Sequence, residues 1–386
     1  MRILFVNGHL GVGGVEKSLV DLLKCIDYTK NKVDLLLFEG YGEYLSQIPT
    51  EVNIILKDLH PLYGSCKSVI MRALRYADFR TILLKIIFTL YSHWGTKYIR
   101  LLKLLMIQPF KYDYAIAYRM GICADYVGYA VSAKEKFVWW HHGEFDYDSK
   151  TIKDWRNTIK KFDKMICVSE SSRQLIMPYF QDVVKKIMVI PNMINTIEIK
   201  KKATEFHPYE GKRGKILVSV GRLSPEKMMI NAVYAMKELV RRGITDVMWY
   251  LVGDGNEREK IEREIINNNL QGKIICVGNK SNPYPYIADA DIFVHPSYVE
   301  SQGITVLEAF ALAKLCLVTD SAGTREFVVD GKNAIVAEQS VESLVEHLIK
   351  MLTENTEKYN IDFQRQTVNQ FSPELISKKI TKLIEE

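Results

Sequence analysis

The feature that most constrains this chain is an alternation of short apolar runs with helix-patterned segments, interrupted once and then resumed. Ile3-Leu4-Phe5-Val6 leads into a glycine-rich loop, and Val15 to Leu23 then carries apolar residues at helical spacing, which reads as strand, loop, helix. Further runs rich in β-branched and aromatic residues stand at Val33 to Phe38, Tyr114 to Tyr118, Phe137 to Trp140 and Met165 to Val168. After Pro191-Asn192 a polar, lysine-rich stretch continues through Lys215, and the alternation restarts with Ile216 to Val220, Met248 to Val252, Ile274 to Val277, Ile292 to Val294 and Leu315 to Val318. Strands that alternate with helices predict parallel sheets wrapped by helices. No repeat of 20 to 50 residues underlies the two series, so the duplication is one of architecture. With 386 residues the chain exceeds what one core usually serves. The expected class is therefore α/β, with two Rossmann-like doubly wound domains at 1–195 and 196–372 facing a deep cleft. Such sheets bind ligands at the carboxyl ends of their strands.

Composition excludes several classes. Hydrophobic residues make up 47% and charged residues 25%, the balance of a globular protein and not of a disordered or membrane-spanning one. The six cysteines are scattered without a C-x-x-C pair, which argues against a zinc site or a disulfide framework. Met1 to Val6 lacks the pattern of a signal peptide, so a cytoplasmic location is expected.

The strongest local signal follows the run Ile292 to Val294: Ser297-Tyr298-Val299-Glu300-Ser301-Gln302-Gly303-Ile304-Thr305-Val306-Leu307-Glu308-Ala309. It places Glu300 in a loop, Gly303 at a turn and Glu308 about one turn into the next helix. Free N–H groups from Gly303 through Ile304 to Thr305 can meet a phosphate, because a helix start offers unpaired donors and a favourable dipole. Glu308 lies too deep to cap that end. It can instead accept two hydrogen bonds from a vicinal diol such as a ribose, each worth roughly 1.5–3 kcal/mol. Glu300, ahead of the helix, can hold sugar hydroxyls.

Other landmarks accompany this run. Gly221-Arg222-Leu223-Ser224-Pro225-Glu226-Lys227 follows the first strand of the second series, and Val252-Gly253-Asp254-Gly255 follows the second. Gly278, Asn279 and Lys280 follow the third, and Ala290-Asp291-Ile292-Phe293-Val294-His295-Pro296-Ser297 leads into the glutamate loop. In the first series stand Gly13-Gly14-Val15-Glu16 and Trp139-Trp140-His141-His142-Gly143. A dinucleotide fingerprint beginning at Gly11-Val12-Gly13 would need glycine at position 16, which is Glu16, so that match fails.

Together these elements resemble the retaining glycosyltransferases of family 4 (glycosyl transferases group 1), whose E-x7-E, G-R-L-x-x-E-K, G-x-G and G-G-x-E elements they follow in order. The similarity spans most of the chain and is weakest from about Tyr41 to Met106. The resemblance implies the GT-B fold and transfer of a sugar, with retention, from a nucleotide-diphosphate donor to a glycan or lipid-linked acceptor in surface polysaccharide synthesis. It implies that Arg222 and Lys227 grip the donor diphosphate, where fixed cations stabilise the charge that leaves in the transition state. Those cations supply what a divalent ion would, so neither a metal nor a cofactor is expected. By the same resemblance Gly13 and Gly14 approach the donor, Gln302 belongs to the donor loop, and Gly278 with Asn279 meets the base, a UDP-sugar being favoured over a GDP-sugar. A histidine at the end of the 137–140 run would contact the donor sugar. W-x-H spacing points to His141 and His-Gly spacing to His142, and the expectation is placed on His141. The final helix, 373–386, would cross back to the first domain. A nucleotide-sugar epimerase or phosphorylase of the same fold, or a non-catalytic nucleotide-sugar-binding protein, remains the alternative.

The net charge of +6 is uneven, with 28 Lys/Arg against 20 Asp/Glu in residues 1–200 and 24 against 26 in the rest. Residues 64–111 alone hold nine basic residues against Asp78. Between Thr81 and Ile107, Lys85, Lys97, Arg100 and Lys103 interrupt the apolar runs well short of the roughly 20 residues a membrane span requires. Tyr91, Trp94 and Tyr98 beside those charges fit a helix resting on an anionic membrane surface, and equally an amphipathic helix packed on the first domain. No nucleic-acid-binding module accompanies the charge.

Overall fold

A computed structural model describes residues 1–57, 59, 65–75, 78–94, 110–144, 146–353 and 361–385. The chain divides into two units, Met1–Ile190 with Lys379–Glu386, and Pro191–Lys378. The junction thus falls at the Pro191-Asn192 dipeptide, a few residues ahead of the expected boundary. The last helix, Pro373–Glu385, begins in the second unit and joins the first only from Lys379.

Among the described residues the first unit holds seven strands: β1 (Arg2–Asn7), β2 (Lys32–Leu37), β3 (Asn53–Leu56), β4 (Tyr112–Ala117), β5 (Ala133–Trp140), β6 (Lys164–Cys167) and β7 (Ile187–Val189). They pair in parallel in the order β3-β2-β1-β4-β5-β6-β7. Helices cover both faces, which is why the central strands read as unbroken apolar runs. Leu4, Val6, Ala115, Val138 and Met165 pack there against Tyr126, Val127, Ile159 and Phe162. Each large side chain buried this way contributes roughly 1.5–3 kcal/mol. The edge strand β3 is held partly by polar chemistry: buried Asp34 accepts hydrogen bonds from Asn53 at 2.7 Å and from the Tyr112 hydroxyl at 2.9 Å.

Two helices, Cys66–Arg75 and Phe79–Trp94, enter between β3 and β4 and pack on each other. The second buries Ile87 and rests Leu84, Phe88 and Tyr91 on the core of the first unit. The Tyr91 hydroxyl donates to Asp125, which also accepts from Thr158. Its opposite side leaves Phe79, Leu83 and Ile86 exposed. The expected basic residues Lys97, Arg100 and Lys103, with Tyr98, lie outside the described residues. Among the described residues no helix is long and apolar enough to cross a membrane.

The second unit holds β8 (Lys215–Val220), β9 (Val247–Val252), β10 (Ile274–Gly278), β11 (Ile292–His295), β12 (Leu315–Thr319) and β13 (Ile335–Ala337). Again every pairing is parallel, in the order β10-β9-β8-β11-β12-β13. Two apolar layers flank the sheet, one built around Trp249, Met236 and Leu344, the other around Phe293, Phe310 and Tyr284. Trp249 is fully buried, and its indole N–H donates to Ser219 Oγ at 3.0 Å, which in turn donates to the Val294 carbonyl at 2.6 Å. That chain of bonds satisfies each polar group while tying β9, β8 and β11 together.

In each sheet the strand order reverses once, between β1 and β4 and between β8 and β11. Loops that leave neighbouring strands at such a point diverge and open a crevice, which is where doubly wound sheets take ligands.

Candidate active site

At the reversal point of the second unit, β8 delivers residues 221–227 and β11 delivers residues 296–303. The first loop is pinned by fully buried Leu223, whose N–H donates to the Asp254 carbonyl and whose carbonyl accepts from Glu257 N–H. Pro225–Lys227 then forms a single 3-10 turn that closes on Met228, left-handed at φ 49°. This turn carries Lys227 back toward the sheet. Tyr298 N–H donates to the Glu226 carbonyl at 2.9 Å, so the two loops are joined through their backbones.

The second loop is anchored from the neighbouring strand. The Thr319 hydroxyl, at the end of β12, donates to the Ser297 carbonyl at 2.6 Å and lies 3.1 Å from that of His295. Gly323 permits a still closer approach, because a Cβ there would lie 2.4 Å from the Glu300 carbonyl oxygen. Gly303 takes φ +76°, a conformation that strains residues with a Cβ, and opens the helix Ile304–Ala311.

These constraints bring four side chains together. Glu300, 7% exposed, accepts on Oε1 from Lys227 Nζ at 2.5 Å, His295 Nε2 at 2.8 Å and Ser297 Oγ at 2.7 Å. Burial alone would raise its carboxyl, but the Lys227 ammonium and the His295 imidazole beside it reverse the sign and hold it well below the usual carboxylate range. A dedicated anion therefore stands between the loops of β8 and β11, held by three donors.

The remaining sequence-derived residues fall around it unevenly. Glu308 is buried on the second turn of Ile304–Ala311 and accepts from the Tyr284 hydroxyl at 2.9 Å. Gln302, also buried, accepts on Oε1 from both the backbone N–H and the side-chain amide of Asn192, each at 2.8 Å. Thr305 reaches His295 Nδ1 at 3.5 Å. Gly278 ends β10 at φ +78° and accepts from Gly253 N–H, while Asn279 beyond it is exposed. Arg222 is not drawn in with Lys227: its side chain is 64% exposed and, among the described residues, approaches only Glu226, at 4.0 Å.

In the first unit, Gly13 caps the helix Gly14–Lys24, and Glu16 in its first turn bonds Arg119 at 3.0 Å. This pair spans β1 and β4, the reversal point of that sheet. His141 leaves the end of β5 against the Tyr118 ring, and its Nε2 is closed off from solvent without a hydrogen-bond partner among the described residues. Burial, with smaller contributions from His142 and Arg119, pushes its pKa down to about 3, so the ring is neutral at physiological pH. His142 instead lies among Trp140, Tyr147 and Trp155.

Sequence reasoning missed His295, Ser297, Asn192 and Tyr284 as partners of the acidic and amide side chains. His295 and Ser297 stand inside the quoted motif and could have been found from their closeness to Glu300. Asn192, 110 residues from Gln302, offered no such signal.

Residues 201–370 match the family glycosyl transferases group 1. Among curated relatives, the chain is 23% identical over 247 residues to the poly(ribitol-phosphate) α-N-acetylglucosaminyltransferase of Staphylococcus aureus (strain COL), covering 62% of this chain and 48% of that protein. It is 26% identical over 199 residues to an N-acetylgalactosamine-N,N'-diacetylbacillosaminyl-diphospho-undecaprenol 4-α-N-acetylgalactosaminyltransferase of Campylobacter jejuni, covering 50% and 51%. The chain spans about half the length of these curated relatives. Solved structures align along its whole length: Anabaena HepE in complex with UDP and glucose has a TM-score of 0.73 at 18% identity, covering 100% of this chain and 99% of that one. Staphylococcus aureus TarM has a TM-score of 0.72 at 13% identity, covering 100% of each. The two parallel-sheet α/β units therefore have the GT-B fold, as the family resemblance implied.

Proposed function

We propose that this protein is a glycosyltransferase that moves a sugar from a nucleoside diphosphate to a glycan or lipid-linked acceptor, with retention at the anomeric carbon. The observation that carries the reading is Glu300, an ionised, buried carboxylate held by Lys227, His295 and Ser297 where the loops of β8 and β11 diverge. Such a group suits a ligand that offers hydroxyls on one side and a diphosphate on the other.

In this reading Glu300 accepts from the donor sugar's hydroxyls and Glu308 accepts from the ribose. The opening N–H groups of the helix Ile304–Ala311, from Gly303 through Ile304 to Thr305, receive the diphosphate. Gln302 belongs to the same loop, and Gly278 with Asn279 meets the base. Lys227 stands next to Glu300 and can turn to the departing diphosphate, with the exposed Arg222 folding in as a second cation. Charge gathers on that leaving group as the glycosidic bond breaks, so cations already in place lower the barrier more than they strengthen ground-state binding. The departing phosphate oxygen takes the acceptor hydroxyl's proton as the acceptor oxygen bonds to the anomeric carbon from the same face, which preserves configuration. Neutral His141 supplies a hydrogen bond to the sugar, with Gly13 and Gly14 leaving room for the donor. Two cations in these roles leave no need for a metal or a cofactor.

A UDP-sugar is the preferred donor, because both HepE and TarM were solved with UDP. The acceptor class follows from the curated relatives, one acting on a poly(ribitol-phosphate) and another on a diphospho-undecaprenol glycan. The work would then lie at the cytoplasmic face of a membrane, with the helices Cys66–Arg75 and Phe79–Trp94 as the peripheral contact.

The test is UDP release from a panel of UDP-sugars with and without lipid-linked oligosaccharide, followed by NMR of the product's anomeric centre. Acceptor-dependent release with an α-linked product from an α-linked donor is expected. Product formation without acceptor would indicate an epimerase, dependence on inorganic phosphate a phosphorylase, and donor binding without release a non-catalytic protein.

A further inference from the structure

Glu300 has two carboxylate oxygens, and the fold treats them unequally. Lys227, His295 and Ser297 all converge on Oε1, while Oε2 has no hydrogen bond among the described residues. Of the three donors, two are adjustable. The Lys227 ammonium sits at the end of a flexible four-carbon stem, and the Ser297 hydroxyl rotates freely. The His295 ring is neither. It is 2% exposed, stacked 6.2 Å from the Phe293 ring at 13°, and held at Nδ1 by Thr305 Oγ1 at 3.5 Å. Because an ionised carboxylate only accepts, Nε2 carries the hydrogen toward Glu300, and Nδ1 faces the Thr305 hydroxyl.

We propose that His295 is a positioning residue that fixes which oxygen of Glu300 is offered to the donor's sugar. It keeps Oε1 turned inward when Lys227 turns to the diphosphate, so that Oε2 stays available to a sugar hydroxyl. The ring also ties that oxygen's orientation to Thr305 at the helix opening. The inference rests on the reading of this crevice as a sugar-nucleotide site, and it makes a division that reading does not: His295 serves the sugar and not the nucleotide.

The test compares His295→Leu, which removes the donor, with His295→Gln, which keeps an N–H donor on a side chain of similar reach. Affinities for UDP and for UDP-N-acetylglucosamine are measured by calorimetry on the full chain, and ligand-free crystals of both variants are solved. Expected for H295L are UDP affinity within about twofold of wild type and a loss of roughly tenfold or more for UDP-N-acetylglucosamine, the scale of one hydrogen bond to a charged group. The Glu300 carboxylate should turn away from Ser297 in H295L, and H295Q should recover most of the loss and keep Glu300 in place. Unchanged affinities with Glu300 unmoved in H295L would overturn the proposal, as would equal impairment of both variants with Glu300 unmoved, which would reduce the ring to packing on Phe293. Should H295L fail to fold, His295→Asn, whose amide is too short to reach Oε1, replaces it. If the wild type binds neither UDP compound, the sugar-nucleotide reading fails separately, and the orientation of Glu300 in the ligand-free crystals still decides whether His295 positions it.

Discussion

Lys227 and Glu300, 73 residues apart in sequence, meet at 2.5 Å across the point where the strand order of the second sheet reverses. Their contact joins the loop of β8 to the loop of β11 and sets a cation and an anion side by side in one crevice. Removing the cation leaves the buried carboxylate with two donors instead of three. Lys227→Ala should therefore cost about 1–3 kcal/mol in urea unfolding, less than a fully buried pair because Lys227 keeps some exposure. Adding Glu300→Gln should recover part of it. Turnover of K227A should fall roughly 100-fold or more while KM for the donor changes far less; a raised KM with unchanged turnover would place Lys227 in ground-state binding alone.

Glu308 and the nucleotide form a separable case. Glu308→Ala should weaken UDP binding roughly tenfold to 100-fold in calorimetry, the scale of one or two hydrogen bonds to a carboxylate. The Tyr284 hydroxyl, which donates to Glu308, would lose this partner in the same variant, so Tyr284→Phe combined with E308A should cost less stability than E308A alone.

Acid should destabilise the protein in two windows that overlap below pH 4.5, only that of His141 extending above it. His141 has an ordinary value of 6.5 and a folded value pushed down to about 3, so the unfolded chain takes up a proton that the native state refuses as pH falls between them. Glu300 likewise lies below its ordinary 4.5 when folded, and its contribution is complete above that value and lost as pH falls toward the lowered one. Urea midpoints followed from pH 7.5 to 3.5 should fall less steeply between 6.5 and 4.5 in His141→Phe, and less steeply below 4.5 in E300Q. Parallel curves for wild type and both variants would refute both assignments.

Gly323 marks where backbone closeness matters more than any side chain. A Cβ there would lie 2.4 Å from the Glu300 carbonyl oxygen, so Gly323→Ala must displace the glutamate loop. The expected cost is about 1–3 kcal/mol in unfolding experiments, with a larger loss of turnover than of stability. Full activity in G323A would show that the loop tolerates the shift.

Membrane contact is tested on the described part of the basic segment. Lys67 and Arg75 are exposed on the helix Cys66–Arg75, and each contributes about 1 kcal/mol near an anionic surface. Lys67→Glu with Arg75→Glu should lower binding to phosphatidylcholine vesicles containing phosphatidylserine roughly tenfold or more, as read by sedimentation. Undiminished binding would leave the two helices as packing elements only.

The central strands could be read from sequence because helices cover both faces of each sheet, so burial erases alternation and leaves plain apolar runs such as Ile3 to Val6 and Ile216 to Val220. The edge strands could not. Most of β3 is exposed, and β7 and β13 are only three residues long, too short to show a period. At the site, Lys227, Glu300 and Glu308 could be picked out because each falls on a position of motifs that resemble those of glycosyltransferase family 4; spacing alone would not have singled them out. Contacts between loops stayed hidden, since nothing local in Asn192 or Gln302 says that they meet. The exposed side chain of Arg222 illustrates a further limit: its motif names the residue, whereas its reach depends on what fills the crevice.

The bond between Asn192 and Gln302 gives the joint of the chain a voice in its chemistry. Asn192 is the second residue after the polypeptide passes into the second unit, and Gln302 is separated from Glu300 by Ser301 alone. The segment that follows the junction is thereby fastened directly to the acidic loop, without the sheet between them. Substitution of Asn192, far from Glu300 in sequence, should therefore loosen that loop.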